Sequence, residues 1–177
     1  MSSLTVRNFM KQQGFAEEPD GICNMHFSGL YFQPRIVGPL VVVGIILSLV
    51  TQTKPAAPIF FFVLAAILWW NVIAPQWNPF EVFYNRVLAA PKGRTMLPPA
   101  PPARRFAQGM AAVFMMIVAF ALMSGWMITA WVFQAFLVVA FSALLFGKFC
   151  MGAYVYHLLR GKVAFANDTL PWAGRHS

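Results

Sequence analysis

The chain has 177 residues, of which 59% are hydrophobic and 10% are charged. A soluble globular domain carries about 25% charged residues, so this composition excludes that class and indicates a small integral membrane protein. The formal net charge is +8. A nucleic-acid groove would need basic residues interleaved with stacking residues on one folded face, so we predict no nucleic-acid partner and attribute the charge to membrane topology.

Residues 1–33 are predicted to form a cytoplasmic N-terminal head. A short helix carrying Val6, Phe9 and Met10 is expected there. It should end at Gly14, because glycine readily adopts the positive φ of a helix C-terminus. The head is followed by a transmembrane domain at 34–160 and a cytoplasmic tail at 161–177.

Four apolar stretches occupy the transmembrane domain. Each is about long enough to cross a hydrocarbon core of roughly 30 Å at about 1.5 Å per residue. Together they predict an all-α polytopic membrane protein with two transmembrane hairpins and an interfacial amphipathic helix between them. The predicted spans are 36–52, 58–74, 107–125 and 127–148.

The basic residues predict the orientation of the spans, because Lys and Arg are retained in cytoplasmic loops. Of the 13 Lys and Arg residues, only Lys54 lies in a turn on the opposite side. The other twelve lie before span one, in the loop between spans two and three, or at and after the end of span four. Both termini are therefore expected in the cytoplasm, where the basic face would meet anionic lipids.

The loop between spans two and three contains one clear helix start. Asn78 is a good N-cap, Pro79 suits the first helical position, and Glu81 could reach back to the cap amide. We predict the interfacial helix at 79–90 and an extended proline-rich stretch at 92–105. Glu81 should face away from the apolar stripe. That stripe is Phe80, Phe83, Tyr84, Val87 and Leu88.

The fourth span runs on without a proline or a polar run from Met127 to Leu159. A continuous helix of that length would be about 50 Å long, against roughly 30 Å of hydrocarbon. We expect it either to leave the membrane or to bend near Gly147 and Gly152. Small and polar residues in the spans and near this end are expected to pack against another helix or a partner. These candidates are Gly147, Cys150, Tyr154, His157, Asn71 and Gln134.

Residues suited to catalysis or metal binding are sparse. Cys23 and His26 have the short spacing of half a zinc site, and Cys150 with His157 could complete it, but that second pair is seven residues apart. We therefore predict separate thiols, no metal and no cofactor. The absence of a phosphate loop, of a Ser/His/Asp arrangement and of paired carboxylates predicts that the protein is not an enzyme.

Two motifs, PPARRFAQG at 101–109 and FGKFCMGAY at 146–154, carry a resemblance to a known family. They resemble a bacterial family of small four-helix membrane proteins that is classed only as a domain of unknown function. The resemblance covers roughly residues 30–160, and it implies a fold and a bacterial inner membrane but no activity. In that family the second motif usually reads Cys-x-x-Cys. Here Cys150 matches the first cysteine and Ala153 replaces the second, so a dithiol role is not carried over.

For function, we expect a non-catalytic accessory or structural subunit that stabilises a larger membrane complex, of a photosynthetic or respiratory kind. The predicted spans lack the carboxylates, His and Arg that mark transport pathways. The expected partners are other membrane subunits, lipids, and neighbouring pigments held without a His ligand, since His26 and His157 lie outside the spans. The alternative is a small membrane transporter or a redox-linked membrane protein that uses Cys150.

Reporter fusions test the predicted topology. A reporter fused at Lys54 and one fused at Ser177 should lie on opposite sides of the membrane, because the basic residues determine the orientation. Measuring phosphatase activity and fluorescence of the two fusions locates each site. Two reporters on the same side would contradict the four-span arrangement.

Overall fold

The computed structural model describes residues 3–15, 29–50, 55–94 and 96–173, and their regular structure is entirely helical. This confirms the predicted all-α fold. Four of the helices are long and apolar enough to cross a membrane. These membrane-length helices are α2 Phe32–Val50, α3 Ala56–Ile73, α5 Pro102–Met123 and α6 Met127–Leu145. The shorter helices are α1 Ser3–Gln12, α4 Pro79–Phe83, α7 Met151–Leu159 and α8 Val163–Asp168.

Each membrane-length helix overlaps one predicted span, and the largest difference is at the start of α5. This helix begins at Pro102, five residues before the predicted start. Proline suits the first helical position, because the N–H that it lacks has no partner there and its φ is already helical. Arg104 and Arg105 therefore belong to a helix, and the prediction of an extended chain up to Arg105 was wrong.

Helix α5 is the centre of the bundle. It packs most extensively against α3 and also contacts α6 and α7, while α2 contacts α3 and α6. The face of α5 toward the core is made of small and medium side chains, which allow neighbouring helices to approach closely. Its fully buried apolar residues are Ala112, Met115, Val118 and Ala119.

The short helices pack together over one end of the bundle, where α2 and α5 begin and α3 and α6 end. We call this layer the cap; it comprises α1, residues 79–94 and 96–100, α7 and α8. A single buried apolar cluster joins the cap to the bundle. In it the rings of Phe9 and Tyr31 stack at a centroid distance of 5.1 Å. The predicted N-terminal helix is confirmed as α1, and Gly14 follows it with a φ of +88°.

The predicted interfacial helix forms, but in three different geometries. Helix α4 is followed by a wider π-helical segment at Tyr84–Ala89 and a 3-10 turn at Ala90–Lys92. Asn78 is the N-cap, as predicted: its side-chain Oδ1 accepts a hydrogen bond from the Phe80 N–H at 3.0 Å. The segment is therefore helical throughout without being one regular α-helix.

The predicted division of this segment into an apolar and a polar side was wrong. Glu81 is buried and faces the bundle, where it pairs with Arg104 instead of reaching back to the cap amide. Phe83 and Val87 from the predicted apolar stripe are 51% and 50% exposed, whereas Tyr84 is buried. The reason is a tertiary contact: an arginine in the first turn of α5 gives the Glu81 carboxylate a buried partner.

The chain bends between α6 and α7, which is one of the two alternatives expected from the sequence. Helix α6 ends at Leu145 and α7 begins at Met151. A Cβ at Gly147 would lie 2.7 Å from the Ala143 carbonyl oxygen, so this turn requires glycine. Lys148 follows with a φ of +56°. The bend turns α7 back against the start of α5.

The crossing of α7 and α5 predicts the effect of enlarging Gly152. A Cβ at this position would lie 2.6 Å from Ala107 Cα, so the two backbones are in contact. Gly152→Ala should lower the free energy of unfolding by about 1–3 kcal/mol, because the helices must separate. Thermal unfolding in one detergent measures the change.

Gly109 provides the matched control for this substitution. It lies in α5, and a Cβ there would meet only Val72 Cγ2 at 3.6 Å, which is an ordinary contact. Gly109→Ala should keep or raise the stability, since alanine favours a helix by up to about 1 kcal/mol relative to glycine. Equal losses from the two variants would contradict the close crossing.

Candidate functional site

A cavity of about 100 Å³ lies where the cap meets the bundle. Its walls include residues of α2, α3, α5, α6 and α7, and most of the lining side chains are apolar, including Val37, Leu68, Phe114, Leu137 and Phe141. Five lining residues have side chains with polar groups or a thiol. They are Gln13, Gln33, Arg104, Gln108 and Cys150.

A buried ion pair stands beside this cavity. Arg104 Nη2 lies 3.3 Å from Glu81 Oε1, and the two side chains are 6% and 7% exposed. Burial raises the pKa of the Glu81 carboxyl above its usual range, and the positive charge of Arg104 opposes that rise. Arg104 Nη1 is also buried, but it has no hydrogen-bond partner within the described part of the chain.

A chain of three buried side-chain amides connects Asn78, the N-cap residue of α4, to the cavity. The Gln33 Oε1 atom accepts hydrogen bonds from Gln108 Nε2 at 2.9 Å and from Asn78 Nδ2 at 3.4 Å. Because Asn78 Oδ1 is already engaged as the N-cap acceptor, the Asn78 amide must turn its nitrogen toward Gln33. This fixes the direction of all three amides and leaves Gln108 Oε1 buried without a donor from the described residues.

Helix α1 is tied to the start of α7 through Gln12. The Gln12 side-chain oxygen accepts a hydrogen bond from the Cys150 N–H at 2.8 Å, and its backbone oxygen lies 2.9 Å from His157 Nε2. A carbonyl only accepts, so His157 carries its proton on Nε2. Both Cys150 and His157 are buried. They serve here to hold α1 against α7.

The thiol of Cys150 is poorly suited to reaction. Burial raises the pKa of this thiol, while hydrogen bonds from backbone N–H groups and the charge of Arg104 lower it by less. A buried, protonated thiol is a weak nucleophile and a weak metal ligand. No group of three His, Cys, Asp or Glu side chains that could hold a metal occurs within the residues that the structure describes. Cys23 and His26 lie outside those residues.

The structure places the other packing candidates apart from one another. Gln134 Nε2 donates to Ser48 Oγ at 3.1 Å and so links α6 to α2. The Tyr154 hydroxyl donates to Asn167 Oδ1 at 3.0 Å and so links α7 to α8. Gly147 is exposed in the bend. Asn71 is fully buried in α3, and neither of its side-chain polar atoms has a partner among the described residues.

Of the five cavity residues with polar groups or a thiol, only Cys150 was predicted as a site residue from the sequence. Arg104 was interpreted only as a topological charge, and Gln33 and Gln108 were not singled out. A signal was present in the first motif, since Arg104 and Gln108 are four residues apart and share a face of any helix that contains both. The predicted helix start at residue 107 placed them in different structures and hid that relation.

Removing one partner of the ion pair should destabilise the fold strongly. Glu81→Gln is expected to lower the free energy of unfolding by about 3–5 kcal/mol, because it leaves the Arg104 charge buried and unpaired. The double variant Glu81→Gln/Arg104→Gln should recover most of this loss, since no buried charge remains. Unfolding followed by tryptophan fluorescence measures the free energy of unfolding of Glu81→Gln, of Arg104→Gln and of the double variant. A double variant with the summed loss of both single variants would show that the two charges are not coupled.

Comparison with the curated proteins and with the solved structures finds no match. A family model described as a domain of unknown function, DUF4395, matches residues 32–161. The matched range contains the four membrane-length helices and α7, while α1 and α8 lie outside it. It covers well over half of the chain, and it agrees with the resemblance inferred from the sequence. The chain therefore belongs to the DUF4395 family of domains of unknown function.

Proposed function

We propose that the protein is a non-catalytic accessory subunit that stabilises a larger membrane complex, of a photosynthetic or respiratory kind. The observation that carries the proposal is the outward face of α6. In the apolar stretch of α6 that could cross the membrane, only 17% of the residues are buried within the chain. The corresponding share is 33% to 39% in the other three membrane-length helices. Most residues of α6 therefore keep part of their surface available to another subunit.

The composition of this outward face favours a protein neighbour. It contains the exposed aromatic residues Trp131 and Phe136, which offer large contact areas. Between and beyond them lie Ala135 and Ser142, which are small and exposed. Small residues allow the backbones of two membrane helices to approach, which is the main source of helix association in lipid.

The polar contacts of the cap support a structural role. Arg105 donates from Nε and Nη2 to the Val72 carbonyl oxygen at 3.0 and 2.7 Å, so it holds the start of α5 to the end of α3. Asn85 exchanges two hydrogen bonds with the backbone of Leu97, at 3.0 and 2.8 Å. Arg105 thus fixes one helix against another, and Asn85 fixes a helical segment against the non-helical chain before α5.

The exposed basic residues support a specific orientation in the membrane. The chain would lie in the inner membrane of a bacterial cell, with the cap on the cytoplasmic side. Arg86, Arg94, Arg160 and Lys162 are exposed around the cap. Basic residues near membrane-span ends are retained on the cytoplasmic side and are attracted to anionic lipid headgroups.

Photocrosslinking in native membranes tests the proposed interface. A photoreactive amino acid at Val132 or Phe136, both exposed on α6, should give a discrete adduct with one partner subunit, identified by mass spectrometry. The matched control positions are Ile59 and Val63, which are similarly exposed on α3. Lipid adducts alone at all four positions, or the same protein adducts from both helices, would contradict the assignment.

Substitution of Cys150 separates this proposal from the redox-linked alternative. Cys150→Ser should leave the assembly and its function unchanged, because the hydrogen bond to Gln12 comes from the backbone N–H and survives the change. Gln12→Leu should instead lower the free energy of unfolding by about 1–3 kcal/mol, because the buried N–H loses its acceptor. Native gel mobility and thermal unfolding measure both. Loss of function in Cys150→Ser with assembly intact would favour the redox role.

A further inference from the structure

We propose that the cavity between the cap and the bundle binds the head of a neutral membrane amphiphile, which donates a hydroxyl hydrogen bond to Gln108 and accepts one from Arg104. A hydroxyl group beside a second oxygen acceptor occurs in acylglycerols and in lipid hydroquinones. This binding site is independent of the proposed role as a subunit.

The first support is that two residues in the cavity lining each carry one unsatisfied buried atom, and that these two atoms are a complementary donor and acceptor. Arg104 is 5% exposed and Gln108 is 9% exposed, and both line the cavity. Each has one buried atom without a partner in the described ranges, the donor Nη1 in arginine and the acceptor Oε1 in glutamine. Leaving a buried polar group unsatisfied costs about 1–3 kcal/mol, so an occupant that bonds to both is favoured.

The second support is that the Gln108 acceptor cannot be exchanged for a donor by turning the amide over. Its nitrogen is used by Gln33, whose oxygen also accepts from Asn78, and the N-cap bond to Phe80 holds Asn78 in place. Turning the Gln108 amide would bring two oxygens together. The occupant must therefore donate at this point, which a hydroxyl group does and a simple ketone or ester does not.

The third support concerns charge. The guanidinium of Arg104 is already neutralised by Glu81 at 3.3 Å, so the buried pair has no net charge. A phosphate head would add an uncompensated negative charge in a poorly solvated place, which is strongly unfavourable. A neutral oxygen acceptor bonds to the free Nη1 without that cost. The site thus selects against the anionic phospholipids that the exposed basic residues attract.

The fourth support is the fit of size and spacing. Residues four apart on a helix lie about 5–6 Å from each other, so the occupant needs two oxygens separated by a few bonds. The cavity volume of about 100 Å³ accommodates such a head with a few carbon atoms. The lining side chains of Val37, Leu68 and Phe114 are apolar and suit an attached hydrocarbon chain.

Binding measurements on the full chain test this inference. The protein is placed in phosphatidylcholine nanodiscs, because that headgroup carries no hydroxyl donor, and it is titrated separately with a monoacylglycerol, a short-chain hydroquinone and phosphatidylglycerol. Native mass spectrometry counts bound molecules, and the thermal midpoint rises with ligand that binds the folded state. We expect saturable one-to-one binding of the monoacylglycerol or the hydroquinone. The titration that saturates shows which of these two classes of amphiphile the cavity binds. Saturable binding of phosphatidylglycerol alone would overturn the proposal.

Two glutamine substitutions provide the decisive comparison. Gln108→Leu removes the cavity acceptor and should weaken binding about tenfold. Gln134→Leu makes the same chemical change in α6, outside the cavity lining, and should leave the affinity unchanged. Ala140→Leu fills the cavity from α6 and should also weaken binding, which keeps the test valid if Gln108→Leu folds poorly. Equal affinities for all three variants, or a cavity that holds ordered water only, would refute the site.

Discussion

The ion pair between Glu81 and Arg104 joins the cap to the bundle, and the rest of the structure is arranged around it. Glu81 lies in α4 and Arg104 in the first turn of α5, so the pair fixes the loop segment against the central helix. A charge in a poorly solvated place must be compensated locally, since moving it out of water costs several kcal/mol even after relaxation. The position of α4, the inward direction of Arg104 and the shape of the cavity all follow from this requirement.

Polar side chains form a thin layer between the cap and the apolar core of the bundle. Gln12, Gln33, Asn78 and Gln108 are buried in it, and most of their polar atoms are paired with one another or with the backbone. Within the hydrocarbon region each unsatisfied polar group is expensive, so such a layer belongs at the end of a bundle. It specifies how the cap docks, because each amide has one direction that satisfies its neighbours.

Hydropathy and glycine positions were enough to predict the bundle, whereas the site depended on tertiary contacts. Apolar runs predicted four helices because membrane length is a physical requirement that sequence displays directly. The run of prolines before Arg104 suggested an extended chain, since Pro102 at a helix start and proline in an extended segment give the same local pattern. Glu81 was assigned to the solvent side by periodicity, which takes no account of a partner more than twenty residues away. The cavity combines residues of five helices, and no local pattern reports such a convergence.

The two segments that flank the family region, α1 and the residues just after α8, are joined by a hydrogen bond. Asn8 in α1 is buried and donates from Nδ2 to the carbonyl oxygen of Leu170, just after α8, at 3.1 Å. Both partners lie outside the range 32–161 that the family model matches. An amide and a carbonyl that satisfy each other in this way make the two extensions depend on each other. Relatives with only one of these extensions would need a different partner for the polar groups that it exposes.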